Sequence, residues 1–233
     1  MFRKYGIISI IINILAELSL YLQIEPIKSW FFPIIWWSYI FLIDTLVYKL
    51  QNNSLIMNHK KIFFTMAILF VIFWGIFETF NQYYYTYWTY VRTAPQYSFP
   101  FIGIISFATV LPAVYETADF IKAFHLFDHK NLIKIKKKHR LSKKLLFTLI
   151  LIGLLFQTLP FFFPENPVAL LGWIGFFLIL DPINYMHKES SIIGYLKRKE
   201  FTVPLSFFIA GYITGFLGEF WIYWAGFNWV YVI

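Results

Sequence analysis

Apolar runs of about 20 residues, the length of a helix that crosses a bilayer, recur from one end of this 233-residue chain to the other. We place them at roughly 6–23, 31–49, 62–81, 99–122, 144–162, 168–186 and 203–224. Water is not the main solvent of such a fold. Only 14% of the residues are charged, against about 25% in soluble domains. The pattern predicts an all-α, polytopic transmembrane bundle of about seven helices. Pro26, Pro95, Pro164 and Pro167 fall in the connections, where a missing N–H costs little.

The placement of charge orients the bundle. Of the 20 Lys and Arg residues, threading seven spans puts 18 on one side and only Lys28 and Arg92 on the other. Positive residues stay inside, so the N-terminus is expected in the cytoplasm and the C-terminus outside, with the protein in the cell membrane. Arg3 and Lys4 ahead of an apolar run resemble a signal peptide. Glu17 interrupts that run and no small-x-small cleavage site follows, so an uncleaved first helix is expected. The net charge of +8 is densest in "HKNLIKIKKKHR", His129 to Arg140. Lying between two spans, it reads as a topology signal against anionic headgroups. Membrane lipids are the expected partners and nucleic acid is not; the oligomeric state stays open. The absence of cysteine excludes disulfides and Cys-ligated metal sites.

An internal repeat organises the spans. At an offset of 137, Trp36 matches Trp173, Asp44 matches Asp181, Tyr48 matches Tyr185, Ser54 matches Ser191, and Lys60-Lys61 matches Lys197-Arg198. After a slip to 141, Glu78 matches Glu219, Trp88 matches Trp229 and Tyr90 matches Tyr231. Residues 1–122 would hold a first three-helix repeat plus a linker helix, 123–143 a basic cytoplasmic loop, and 144–233 the second repeat. Four spans separate equivalent helices, an even number, so the repeat is parallel.

Seven of the twelve acids fall inside the runs: Glu17, Asp44, Glu78, Glu116, Asp119, Asp181 and Glu219. A charge at a helix centre costs about 2.5–3.5 kcal/mol. These acids are therefore expected to face inward, towards water, a cation or each other, with some protonated. Glu78 and Glu219 lie near the outer ends of their helices, level with Trp36 and Trp173. Asp44, Asp181, Glu116 and Asp119 lie in the inner half. Glu17 shares a face with Asn13 and Tyr21, one turn to either side. In the fourth run, "TVLPAVYETADFIKAFH", Pro112 should kink the helix, and Thr109, Pro112, Glu116 and Asp119 share one face. Asn81 stands one turn from Glu78, where an amide can bond either protonation state of an acid.

The candidate catalytic acids are therefore Glu116, Asp119, Glu78 and Glu219. The candidate substrate-binding residues are Asp44, Asp181, Asn81, Trp36, Trp173, Trp88, Trp229 and Glu17. Each has a structural alternative. Asp44 and Asp181 could cap backbone or pair with lysines. Glu78 and Glu219 could staple a Trp of the outer loops. Trp88, Tyr90, Trp229 and Tyr231 could form an interfacial belt. Gly211, Gly215 and Gly218 form a stripe expected to pack against a neighbouring helix. His125 and His129 have the i,i+4 spacing that can bind metal, but read as juxtamembrane histidines. The chain has no HExxH, no intramembrane His cluster, no GxSxG and no P-loop, so neither metal nor cofactor is expected.

Carboxyls in a dry interior are proton donors, and aromatic faces attract cations. With 23% aromatic residues, the chain has the parts for protonating an alkene and stabilising the carbocation, the chemistry of isoprenoid cyclases. The unit "GIFETFNQYYYTYWTY", followed by "LPAVYET", resembles the membrane-embedded lycopene cyclase domain of carotenoid synthesis. That family has tandem three-helix units bearing an acid, a nearby Asn and Trp-x-Tyr, then a helix with Pro and acids. The resemblance implies Glu78, Asn81, Trp88, Tyr90, Pro112 and Glu116 as matching positions, although the family's acid and Asn are adjacent. It implies an enzyme acting on a lipid-soluble substrate. The whole pattern also resembles a family of bacterial seven-helix membrane proteins without assigned function. Two other readings stand beside the enzyme: a proton- or cation-coupled carrier, and a non-catalytic assembly protein. A carrier needs water access to the same carboxyls from both sides. An enzyme on lipid needs a lateral apolar portal.

Overall fold

The computed structural model describes residues 3–92, 99–127, 141–163 and 168–232. The basic run 129–140 (with His129) and Pro95, Pro164 and Pro167 lie outside the described residues.

The described chain is nearly all helical. In order it forms α1 (Lys4–Tyr21), α2 (Ile27–Gln51), α3 (Leu55–Asn58), α4 (Lys60–Phe80), a π-helical turn (Asn81–Tyr85), β1 (Trp88–Arg92), α5 (Phe99–Phe107), α6 (Val110–Lys122), α7 (Lys143–Phe162), α8 (Val168–His187), α9 (Ile192–Arg198), α10 (Thr202–Trp224) and β2 (Phe227–Tyr231). Six helical segments among the described residues are long and apolar enough to cross a membrane: Lys4–Tyr21, Ile27–Gln51, Lys60–Tyr84, Pro100–Lys122, Lys143–Phe162 and Thr202–Trp224. The remaining apolar run, 168–186, is occupied by the 20-residue α8. Ile7, Ile11, Ile14, Leu69, Leu151 and Phe208 are all exposed. An apolar surface of this kind fits lipid and not water.

Three features differ from a plain seven-helix reading. The fourth run breaks between α5 and α6. Pro112 has no N–H to give the Ala108 carbonyl, so the helix restarts with the Ala113 amide bonded to Thr109 O at 2.8 Å, and Thr109 Oγ1 turns back to Ser106 O at 2.6 Å. Two short helices, α3 and α9, follow α2 and α8. Finally, the two Trp-x-Tyr stretches become β1 and β2, which pair as a two-stranded sheet. Backbone outside a helix at membrane depth needs such mutual pairing.

The chain forms two compact units. The first comprises Met1–Glu78, Trp88–His125 and Ser206–Val230. Its core is built on α2, whose Phe31, Ile35, Trp36 and Ile40 pack with Ala16 and Leu20 of α1, Ala113 of α6, and Trp221 and Ile222 of α10. The second comprises Thr79–Tyr87, Leu126–Leu205 and Tyr231–Ile233. Within it α7 lies against α8 at a point where a Cβ on Gly153 would come 2.8 Å from the Gly175 carbonyl.

Close helix contact in the first unit depends on Gly6, not on the expected stripe. A Cβ at Gly6 would sit 2.6 Å from Thr45 Oγ1, whereas Gly211 and Gly215 have open space. Of the three stripe glycines only Gly218 nears a partner, with a Cβ 3.6 Å from the Trp36 ring. Small residues at helical spacing permit close packing but do not compel it. Thr45 is fully buried and its hydroxyl is bonded to Phe41 O, so it cannot swing aside. Gly6→Ala should therefore lower stability by about 1–3 kcal/mol in thermal unfolding of the detergent-solubilised protein. Gly211→Ala should be neutral or raise stability by up to about 1 kcal/mol.

Candidate functional site

One end of the first unit gathers two carboxyls and a phenol. After α2 the chain reverses at Asn52, whose backbone is left-handed (φ 54), and enters α3. Ser54 caps this helix, its hydroxyl accepting from the Met57 amide at 3.4 Å. Asp44, fully buried, accepts the Ile56 amide on Oδ1 at 2.8 Å. Its other oxygen accepts the Tyr5 hydroxyl of α1 at 2.5 Å. Opposite stands Glu116 of α6, also fully buried. Its carboxyl faces Asp44, the Leu55 amide and Asp119, yet neither oxygen completes a hydrogen bond of ordinary geometry. A buried carboxyl without a partner is costly, and native structures retain few such groups.

Two cavities flank this cluster. An apolar groove of about 450 Å³ runs between α1, α2 and α5, lined by Tyr5, Ile8, Ile34, Trp37, Phe41 and Ile105 among others. A smaller polar cavity, about 160 Å³, is lined by Asn53, Ser54, Leu55, His59, Ile62, Tyr115 and Asp119. Tyr5 thus borders the groove with its ring and holds Asp44 with its hydroxyl.

The other predicted residues fall in separate places. Glu78 accepts from the indole N–H of Trp74 and of Trp88, each at 3.1 Å, and from the Tyr90 hydroxyl. All three bonds land on one oxygen, pinning β1 to the end of α4. Burial and the adjoining Glu78 push the Tyr90 phenol above its ordinary range, so it acts as a donor. Burial alone raises Tyr87. Glu17 accepts the Trp221 indole N–H at 2.9 Å. Trp221 stacks edge-on to Trp36 with ring centres 5.0 Å apart, and Trp229 packs on Phe32 at 5.7 Å. Trp36, Trp221 and Trp229 therefore belong to an aromatic core. Asp119 pairs with Lys122. Glu219 is exposed on α10. It is five residues, about 7.5 Å, from the end of that helix.

In the second unit Asp181 is buried and accepts the amides of Ile192 at 2.6 Å and Ile193 at 2.8 Å. Ser191 caps α9 through the Gly194 amide at 3.0 Å. Asn81 is buried and accepts the Tyr87 amide at 2.8 Å. Trp173 is 41% exposed, unlike Trp36.

Sequence reasoning missed Tyr5. The signal was present: Tyr5, Ser9, Asn13 and Glu17 recur every fourth residue along α1. The ladder is bonded throughout. Ser9 Oγ donates to Tyr5 O at 2.8 Å, Asn13 to Ser38 at 2.6 Å, and Glu17 receives Trp221. Among the described residues no three His, Cys, Asp or Glu side chains cluster as a metal site.

The fold and its greasy surface define a helical membrane protein. No family model, curated protein or solved structure matches the chain.

The capping role of Asp181 has a direct test. Asp181→Ala leaves two half-buried amides without acceptors, at about 1 kcal/mol each. Hydrogen exchange should show Ile192 and Ile193 losing protection, with α7 and the middle of α8 still protected.

Proposed function

We propose that the protein is an integral membrane enzyme that protonates a lipid-soluble substrate, using the Asp44–Glu116 pair as its acid. One observation carries the reading. Tyr5 is at once a wall of the apolar groove and the donor to Asp44, beside a Glu116 whose oxygens have no hydrogen bond. A pair of carboxyls in dry surroundings holds a proton it can transfer. The Tyr5 hydroxyl, which donates to Asp44 at rest, turns to the groove as substrate binds; its O–H bond breaks towards the substrate, and the phenolate oxygen then takes a replacement proton from the pair. A C=C bond protonated in the groove becomes a carbocation, which the faces of Trp37 and Phe41 stabilise. The cation closes a ring, a neighbouring C–H breaks, and its proton returns to the pair. Isoprenoid chains have the required alkenes, so the substrate class is isoprenoid and the reaction a cyclisation or isomerisation. The resemblance to the lycopene cyclase domain points the same way and supplies Glu116. In this reading Glu78, Asn81 and Asp181 hold the scaffold.

The polar cavity favours a second reading, a proton-coupled carrier, because it brings water-compatible groups near the same acids. Lipid and pigment profiles of expressing cells separate the two. For the enzyme, an isoprenoid or lipid species should change with the native protein and revert with Glu116→Gln or Tyr5→Phe, but persist with Glu78→Gln. An unchanged profile with altered proton-coupled flux favours the carrier. Variants that merely fail to accumulate favour a non-catalytic scaffold.

The proposal includes seven spans in the cell membrane, a cytoplasmic N-terminus, an external C-terminus, and a parallel repeat relating residues 1–122 to 144–233 around the 123–143 loop. Its support is local geometry in register. Asp44 takes the Ile56 amide and Ser54 the Met57 amide; 137 residues on, Asp181 takes the Ile193 amide and Ser191 the Gly194 amide. The chain has no cysteine, so single cysteines report position directly. At Gln23, Gln82 and Val232 they should react with an impermeant maleimide on intact cells. At His59 and Lys188 they should react only after permeabilisation.

A further inference from the structure

Glu116 is fully buried and lines neither cavity, but the polar cavity reaches two of its neighbours. Leu55, whose amide lies near the Glu116 carboxyl, and Asp119, one turn further along α6, both line it. Asn53 and His59, also in its lining, are exposed. The cavity thus extends from the surface to the immediate surroundings of a buried acid. Its volume of about 160 Å³ exceeds the roughly 30 Å³ that one water occupies. Ser54, Asn53, His59, Tyr115 and Asp119 offer the two to four polar partners each water needs. Lys122 pairs with Asp119, holding a fixed charge at the inner wall. The groups that face Glu116 are Tyr5 from α1, Asp44 from α2, the Leu55 amide from α3 and Asp119 from its own helix.

We propose that this cavity is a water-filled proton entry to Glu116, with Asp119 as the relay beside the acid and His59 at the mouth. Once the Glu116–Asp44 pair has given up a proton, Asp119, ionised beside Lys122, takes a proton from the water of the cavity and hands it to the Glu116 carboxylate, returning to its ion pair, so the charge of the pair is restored. The inference rests on Glu116 as the working acid but not on the enzyme reading. In a cyclisation that returns its proton the route resets occasional losses; in a carrier it conducts on every cycle. Asp119 and His59 are then positioning residues that touch no substrate.

The test uses the full chain reconstituted in phospholipid vesicles and followed by infrared spectroscopy. The C=O stretch of the protonated carboxyl is assigned to Glu116 by its loss in Glu116→Gln. On transfer to D₂O this band should shift promptly in the native protein. Asn53→Leu combined with His59→Phe should fill the mouth and slow the shift at least about tenfold, as closing a solvent route slows exchange. Asp119→Asn should slow it as well. Both mouth residues are exposed, and an unchanged thermal transition shows that the fold is kept. The proposal is overturned by a native band that does not exchange, by an exchange rate indifferent to the filled mouth, or by a Glu116→Gln spectrum that loses no carboxyl band. A failed lipid profile alongside normal exchange sinks the enzyme reading and leaves the entry route standing.

Discussion

A backbone amide without an acceptor has no remedy in hydrocarbon, where each unsatisfied group costs several kcal/mol. Long helices solve the problem for themselves except at their ends. Here the chain reverses after α2 and after α8 and starts a short helix each time, which exposes fresh amides. A single aspartate answers at each place: Asp44 for α3 and Asp181 for α9. Within the first unit, the neighbouring elements are arranged around Asp44. Tyr5 reaches Asp44 because Gly6 lets α1 lie against Thr45 of α2. Glu116 stands near it on α6, which packs against α2.

The two aspartates do the same structural work, so the difference between them is informative. Asp181 spends both oxygens on amides. Asp44 gives one to an amide and one to a tyrosine that borders a groove, and has a second carboxyl opposite. A job common to both sites is architectural; the additions at one site are where chemistry has room. The aromatic richness that suggested a cation cage divides similarly. Trp36, Trp221 and Trp229 pack on each other or on Phe32, and Trp74, Trp88 and Tyr90 bind Glu78. Trp37 and Phe41 remain on the groove.

The spans were legible because hydropathy over 20 residues is an averaged quantity that no single contact can override. The break at Pro112 was legible too, since a missing donor acts locally. The acids were legible as anomalies, but their duties were not. Whether Asp44 caps, catalyses or pairs depends on what the chain does a dozen residues later, and α3 is only four residues long. The strands β1 and β2 were hidden for a related reason: their pairing joins segments more than a hundred residues apart. Tyr5 escaped notice because a phenol near a helix end reads as ordinary interfacial decoration. Only the four-residue spacing from Tyr5 to Glu17 marks it as part of an inward stripe. Gly211 and Gly215 erred in the opposite direction, offering a smooth face to which nothing among the described residues comes close.

The division of the fourth run also bears on how the chain enters its membrane during synthesis. Segment α5, "FPFIGIISF", is apolar almost throughout, while α6 carries Glu116, Thr117, Asp119 and Lys122. Presented alone to the insertion machinery, α6 would partition poorly, because charged residues near a helix centre oppose entry. Joined to α5 it is the second half of one segment, Pro100–Lys122, that is long and apolar enough to cross a membrane. The greasy half thus serves as an escort, delivering into the bilayer a polar passenger that could not have gone in by itself.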